Sequence, residues 1–157
     1  MALVAGTNTY VDITYADAYF GDRYGAEQWR AASEQAKEQA LITATRAIDM
    51  QRLRGRKADD SQPLAFPRAI YWHGSWCAET EVEDAVKYAQ CEEALAILTQ
   101  DQQRAARQRD GLASVSIGDA SESYTTEALG RAQSGGLLST QARLLLRRWL
   151  MGAVPIA

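Results

Sequence analysis

The sequence predicts a mainly α protein, a small helical bundle built on one long helix, with a long ordered loop, a short β-hairpin and a C-terminal helix. Residues 80–109 contain neither proline nor glycine and are rich in residue types that lose little entropy in a helix. Thr80 followed by Glu83 fits a capping box at the start of this segment. Ser33 is the expected cap of a second helix, whose apolar pattern continues to Met50.

The long helix carries an apolar stripe that stops after Thr99, so its last turns are expected to leave the core. The stripe consists of Val82, Ala85, Val86, Ala89, Ala96 and Ile97, widened by Cys91, Leu95 and Leu98. Glu93 falls near its centre, where a lone carboxylate is costly to bury. Two explanations stay open: Arg46 on the preceding helix forms a buried ion pair with Glu93, or this face meets another chain.

Shorter signals mark the two ends of the chain. Thr14 with Asp17 predicts a short helix that runs to about Tyr24, after an extended N-terminal arm. Ser139 is the expected cap of a last helix over residues 140–151.

Two segments have no helical period. Residues 51–78 contain prolines, glycines and many aromatic residues, which predicts a long loop that packs on the helices. Residues 113–124 alternate at Val115 and Ile117, turn at a Gly-Asp pair and resume toward Tyr124, which predicts a short β-hairpin.

The 157 residues favour a single domain, with residues 1–138 as the main unit and residues 139–157 as a helix and tail of the same unit. The net charge of −3 argues against a protein whose main task is to coat nucleic acid. Cys77 and Cys91 are too few for a disulfide scaffold, and reduced thiols are expected. No apolar run is long enough to span a membrane, and the N-terminus has no signal-peptide pattern. We therefore expect a soluble protein made in a cytoplasm.

No constellation of residues indicates catalysis. His73 is the only histidine, and no nucleophile or carboxylate stands beside it at a recognisable spacing, so we interpret it as an incidental loop residue. Asp59 and Asp60 beside Ser61 indicate a turn rather than an ion site. The expectation is a protein that is not an enzyme and has no catalytic residue, metal or cofactor.

A basic cluster in the long loop is the candidate binding feature. Arg52, Arg54, Arg56 and Lys57 have the charge to contact phosphates or an acidic neighbour, although a solvated loop is the simpler interpretation. Trp72 and Trp76 follow and offer either stacking surfaces for bases or anchors on the core. With Val115, Ile117 and Tyr124 of the predicted hairpin, these residues form our candidate interface with a neighbouring chain.

Six parts of the chain carry a family resemblance: NTYVDITYADAYF, Trp29, ALITATRAID, RGRK, QPLAFPR and DAVKYAQCEEALAIL. Together they resemble the head–tail connector (adaptor) proteins of tailed phages, whose members are often catalogued as DnaT-like single-stranded-DNA-binding proteins. The resemblance covers about residues 8–124. The most specific pieces are ADAYF, the LAFPR turn and the AQCE run.

The resemblance implies a virion protein of the head–tail junction, made in the cytoplasm of a bacterial host. It implies a ring of about twelve copies beneath the portal protein, so the candidate interface described above would be a subunit or portal interface. A closed ring requires head-to-tail contacts between different patches of neighbouring copies. Such a ring lengthens the channel for genomic DNA, which passes without sequence recognition, and provides a platform for the next neck or tail-completion protein. The alternative, indicated by the DnaT-like description, is a replication accessory protein that binds single-stranded DNA.

Overall fold

The computed structural model describes residues 2–109 and 136–151 and has a mixed architecture. Five helices occur in this part of the chain: α1 (Ile13–Gly21), α2 (Glu27–Ala31), α3 (Glu34–Asp49), α4 (Asp84–Arg109) and α5 (Thr140–Leu145). Three strands form one antiparallel sheet in the order β1-β2-β3: β1 (Arg56–Lys57), β2 (Arg68–Trp72) and β3 (Ser75–Ala78). The prediction of a broadly helical protein with a short hairpin is confirmed, but the molecule is not purely a helical bundle.

The observed sheet lies where the sequence analysis predicted a loop. Residues 51–78 supply all three strands, and β2 and β3 form the hairpin. The hairpin predicted at 113–124 lies outside the described residues.

Two predicted helix caps are confirmed. The Ser33 hydroxyl accepts a hydrogen bond from the Ala36 N–H at 3.3 Å, and α3 begins at the next residue, as expected. The Ser139 hydroxyl accepts from the Ala142 N–H at 3.1 Å and caps α5. Each of these bonds satisfies one backbone donor that a helix start leaves free.

The predicted start of α1 is wrong by two residues. Asp12, rather than Thr14, is the N-cap, and its carboxylate accepts from the Tyr15 N–H at 2.7 Å. An aspartate is as good a cap as a threonine or better, and it adds a negative charge at the positive end of the helix.

The long helix begins at Asp84, four residues after the predicted cap Thr80. Glu83 does not bond back toward Thr80, because its carboxylate accepts from Arg148 at 2.7 Å and from the Trp149 indole at 3.1 Å. A partner that is distant in sequence therefore replaces the local capping arrangement.

The C-terminal segment is helical over a shorter range than predicted. Helix α5 ends at Leu145, and the chain then turns so that the Trp149 carbonyl accepts from the Arg54 N–H at 2.8 Å. The Met151 N–H donates to the Arg52 carbonyl at 2.9 Å. These backbone bonds join the end of the described chain to the segment before β1.

Helix α4 is the centre of the core and packs against each of the other four helices. Every residue from 89 to 95 is buried, so this part of α4 is enclosed on all sides. The predicted one-sided stripe was therefore too narrow. Ala89 and Ala94 are fully buried, and such small side chains allow close approach of neighbouring helices.

Three buried polar residues of α4 each bind a different part of the fold. The Glu92 carboxylate accepts from the Tyr19 hydroxyl at 2.8 Å and forms a salt bridge with Arg23 at 2.6 Å, which ties α1 to α4. Gln90 binds the N-terminal arm, and Glu93 binds the segment before α5. Because their partners are far away in the sequence, these residues determine tertiary contacts rather than helix formation.

The predicted Arg46–Glu93 ion pair is wrong. The two carboxylate oxygens of Glu93 accept from the backbone N–H groups of Leu138 at 2.9 Å and Ser139 at 2.8 Å, while Arg46 is exposed on α3. Backbone donors at the start of α5 satisfy the buried carboxylate, and the helix dipole favours a negative charge there.

Replacing Glu93 with glutamine is expected to change how stability depends on pH. Burial raises the pKa of Glu93 above the ordinary value of 4.5, although the bonds from Leu138 and Ser139 and the charge of Arg143 oppose the rise. Glu93 has a higher pKa in the folded protein than in the unfolded chain. Between these two pKa values the folded protein binds more protons, so the contribution of Glu93 to stability falls as pH rises. Glutamine does not titrate, so the wild-type advantage over Glu93→Gln should decline from pH 4.5 upward.

Urea unfolding at a series of pH values measures this difference. The control is Ser139→Ala, which removes the neighbouring cap and should cost about 1 kcal/mol at every pH. A wild-type advantage that grows with pH would contradict the expected sign.

Candidate nucleic-acid interface

The β2–β3 hairpin turns through two residues with positive φ. His73 has φ of 47° and Gly74 has φ of 86°, and Trp72 pairs with Ser75 on either side of them. A two-residue turn of this kind matches the right-handed twist of the strands. His73 lies in the turn, with its ring edge-on to that of Trp72 at 5.0 Å.

The hairpin exposes three large aromatic side chains. Tyr71 is 58% exposed, Trp72 65% and Trp76 45%. All four residues of β3 are exposed as well. The interpretation of these tryptophans as anchors on the core is therefore wrong, and their apolar surface is available to a ligand or partner.

Tyr71, Trp76 and Arg56 form one continuous surface, which we name the aromatic face. Tyr71 and Trp76 are directly opposed across the two strands, with ring centroids 5.5 Å apart in an edge-to-face arrangement. The Arg56 guanidinium carbon lies 4.3 Å from the centre of the Trp76 ring, within the range of a cation–π interaction. Trp72 neighbours Tyr71 on the same strand and points to the opposite side of the sheet.

Arg68 holds the backbone that leads into β1. Its guanidinium donates to the carbonyl oxygens of Arg54 at 2.8 Å, Gly55 at 2.8 Å and Ala65 at 3.2 Å. Gly55 has φ of 72°, and a Cβ atom there would lie 2.0 Å from the Ala69 carbonyl oxygen. Burial lowers the pKa of Arg68, and the negative charge of Asp49 opposes this. The path of the chain before Arg56 is thus fixed by a buried arginine and a required glycine.

The structure separates the predicted basic cluster. Arg52, Arg54 and Arg56 are exposed, whereas Lys57 is half-buried and its ammonium donates to the Gln62 carbonyl at 2.9 Å. Val115, Ile117 and Tyr124, the other candidate interface residues, lie outside the described residues.

Tyr71 is the functional candidate that the sequence analysis missed. The signal that would have found it is the His-Gly pair in IYWHGSWCA, a two-residue turn flanked by alternating residues. A two-residue turn at this pair places Tyr71 directly opposite Trp76 on the neighbouring strand.

Other kinds of site are not found in the part of the chain that the structure describes. No group of three histidine, cysteine, aspartate or glutamate side chains there is placed to hold a metal ion. The described helices include none with the length and apolar character needed to cross a membrane. Asp59 accepts from the N–H and hydroxyl of Ser61 at 2.7 and 2.6 Å, as in a turn.

The fold and this surface define a small, mainly helical protein that presents an exposed aromatic and basic hairpin. The chain belongs to the family described as "Putative DnaT-like ssDNA binding protein", whose family model matches residues 2–155. No curated protein and no solved structure matches the chain significantly. The match supports the DnaT-like description of the resemblance noted above and does not support the head–tail connector identity.

Proposed function

We propose that this protein binds single-stranded DNA through the aromatic face of its hairpin. The observation that carries the proposal is the exposed Tyr71–Trp76 pair with the Arg56 guanidinium over the Trp76 ring. Proteins that bind single strands without sequence preference combine aromatic rings for base stacking with cations for the phosphates. The family description names the same ligand.

The charge distribution supports a local contact rather than a general attraction. The chain carries a net charge of −3, so long-range attraction to DNA is weak. Exposed Arg52 and Arg54 lie just before Arg56 in the chain, and they add positive charge to the segment that leads into β1. We expect affinity to come from stacking at the hairpin, with these arginines neutralising neighbouring phosphates.

The salt dependence of binding tests the charge component. Replacing Arg54 and Arg56 with glutamine should weaken binding to a thymidine oligonucleotide and flatten the salt dependence. Each lost phosphate contact reduces the slope of log affinity against log salt by about 0.7 for a single strand. Fluorescence anisotropy at several salt concentrations measures both quantities.

The matched control exchanges two exposed arginines elsewhere, Arg46→Gln with Arg147→Gln. This control lowers the net charge equally and should leave the slope nearly unchanged. Equal slopes for both double variants would show that the basic segment before β1 is not the contact, and no binding by the wild type would reject the proposal.

A second candidate function is the head–tail adaptor, a ring in the virion neck that binds the portal protein and the next neck protein. It is favoured by the exposed hairpin, because a group of exposed aromatic rings is typical of a surface that another protein covers. In this function the aromatic face contacts a neighbouring subunit or the portal, and DNA passes through the channel without being recognised.

The two functions differ in what the isolated protein does. An adaptor should bind single-stranded DNA weakly and appear as a ring at the portal in electron micrographs of virions. A DNA-binding protein should bind oligonucleotides at physiological salt and be absent from purified virions.

A further inference from the structure

The outer edge of β3 has the features of a pairing surface for an identical strand. Strand β3 is hydrogen-bonded to β2 on one side, and β1 lies on the far side of β2. Its sequence, Ser-Trp-Cys-Ala, contains no charged residue and no proline. Natural edge strands are usually protected from pairing by lysine, proline, a bulge or a covering element. None of these protections is found for β3 among the described residues.

The hairpin geometry determines which backbone groups point outward. Glu79 donates its N–H to the Arg68 carbonyl at 3.0 Å, which continues the β2–β3 ladder. In an antiparallel ladder, residues that bond to the neighbouring strand alternate with residues that do not. Ser75 and Cys77 therefore direct their backbone N–H and carbonyl groups to β2, as Glu79 does. Trp76 and Ala78 therefore direct their N–H and carbonyl groups to the open edge.

We infer that two copies of this chain pair through β3 about a two-fold axis at Cys77 and join their aromatic faces into one binding surface. The free groups of Trp76 and Ala78 fit this antiparallel register, in which Trp76 of each copy is hydrogen-bonded opposite Ala78 of the other. Cys77 then meets its own counterpart in a non-hydrogen-bonded pair, with Cα atoms about 4.5 Å apart.

Side-chain size and charge agree with this register. The large Trp76 ring lies beside the small Ala78 of the second copy, so two bulky rings do not collide. The acidic residues Glu79, Glu81, Glu83 and Asp84 follow β3 directly. Antiparallel pairing places this acidic segment beside the turn of the second copy, which contains no acid, and keeps the two acidic segments apart.

The consequence for DNA binding rests on the function proposed above. A two-fold axis perpendicular to a sheet keeps equivalent side chains on the same face, so a six-stranded sheet would present two copies of Tyr71, Trp76 and Arg56 together. The two Trp76 Cα atoms would lie about 8 Å apart, from the strand spacing and the rise per residue. A four-residue strand buries little area, so the free pair should be weak and a long single strand should strengthen it.

Disulfide trapping tests the register. Diamide takes up the two electrons and two protons that are released when two Cys77 thiols join, and the other cysteine, Cys91, is buried. Incubation with a 30-nucleotide thymidine strand should give a covalent dimer on a non-reducing gel. An 8-nucleotide strand should give several-fold less, and Cys77→Ser should give none.

A shifted cysteine is the matched control. In the double variant Ser75→Cys with Cys77→Ser, the thiol stays on the same strand and face. In the two-fold register, the introduced cysteine of one copy lies about 14 Å along the strand from that of the other copy, beyond the reach of a disulfide. Cross-linking of both proteins to the same extent would mean random collision and would overturn the proposed register.

An edge-blocking variant separates pairing from DNA binding. Ala78→Pro removes an outward N–H that β2 does not use, so the hairpin should persist while the dimer is lost.

If the wild type binds DNA but Cys77 does not cross-link on the long strand, the paired edge is wrong and the DNA-binding proposal stands. If DNA does not bind but Cys77 cross-links at high protein concentration, the pairing through β3 stands and the DNA-binding proposal is rejected. Protection of Cys77 from alkylation in the monomer would show that another segment covers the edge, and would reject the pairing.

Discussion

Replacing Trp76 with alanine is expected to lower the affinity for a 20-nucleotide thymidine strand about tenfold or more. Stacking of a base on an aromatic side chain contributes about 1–3 kcal/mol, and 1.4 kcal/mol corresponds to a factor of ten. Trp76 is the centre of the aromatic face, because its ring contacts both Tyr71 and the Arg56 guanidinium. The variant therefore loses a stacking surface and also releases the arginine.

Three comparisons make the measurement specific. Trp76→Phe keeps an aromatic ring and should retain most of the affinity. Trp72→Ala removes a more exposed tryptophan from the opposite side of the hairpin, and Tyr24→Ala removes an aromatic ring that is 96% exposed near α1. Both should bind nearly as the wild type does. Equal losses for Trp72→Ala and Trp76→Ala would place the contact at the hairpin tip rather than on the aromatic face.

Stability should change little in these hairpin variants. All four residues of β3 are exposed, so Trp76→Ala opens no cavity in the core. Thermal unfolding of each variant separates a loss of binding from a loss of folding. A Trp76→Ala protein that unfolds at the wild-type temperature and binds with wild-type affinity would contradict the proposed interface.

Replacing Gln90 with methionine is expected to cost about 2–6 kcal/mol of unfolding free energy. The Gln90 side-chain oxygen accepts from the N–H groups of Tyr10 and Val11, both at 3.1 Å, and all three residues are buried. Methionine has a similar length but cannot serve both donors. Each buried donor left unpaired costs about 1–3 kcal/mol.

The Gln90 amide nitrogen makes two further bonds that methionine also removes. It donates to the Thr9 hydroxyl at 2.6 Å and to the Leu41 carbonyl of α3 at 3.1 Å. One side chain thus joins the N-terminal arm, α3 and α4. We expect the arm to detach first in the variant, which proteolysis near residue 10 would detect.

The control for this prediction is Gln39→Met, an exposed glutamine on α3. Surface changes of this kind are usually within about 0.5 kcal/mol of neutral. Urea unfolding with a fitted slope gives both free energies. A loss below 1 kcal/mol for Gln90→Met would mean that water or a shifted side chain satisfies the two donors.

The sequence was sufficient for part of the structure that depends on neighbouring residues, although the local cap signals at Thr14 and Thr80 were wrong. Ser33 and Ser139 cap their helices as predicted, because a cap is a contact between residues three apart. The existence of α3 and of the long helix also followed from composition and period, since helix propensity acts locally. The family resemblance was likewise a property of short segments.

Only the tertiary structure decided the contacts between distant segments. Glu93 binds residues 138 and 139 rather than Arg46, and Gln90 binds the N-terminal arm 80 positions away. A period along one helix indicates which side is apolar, but it cannot show that neighbours enclose residues 89–95 of α4 on every side. The partner of a buried polar group is set by whichever backbone donors the fold brings to it.

The sheet shows the same division most clearly. Trp72 and Trp76 were both recognised as candidate residues, but their placement on opposite sides of the hairpin depends on the register set by the turn at His73 and Gly74. A shift of one residue would reverse every side chain on the strand. The residue types were therefore readable from the chain alone. Their assembly with Arg56 into one face required strand pairing, because that pairing is fixed by contacts between residues far apart in sequence.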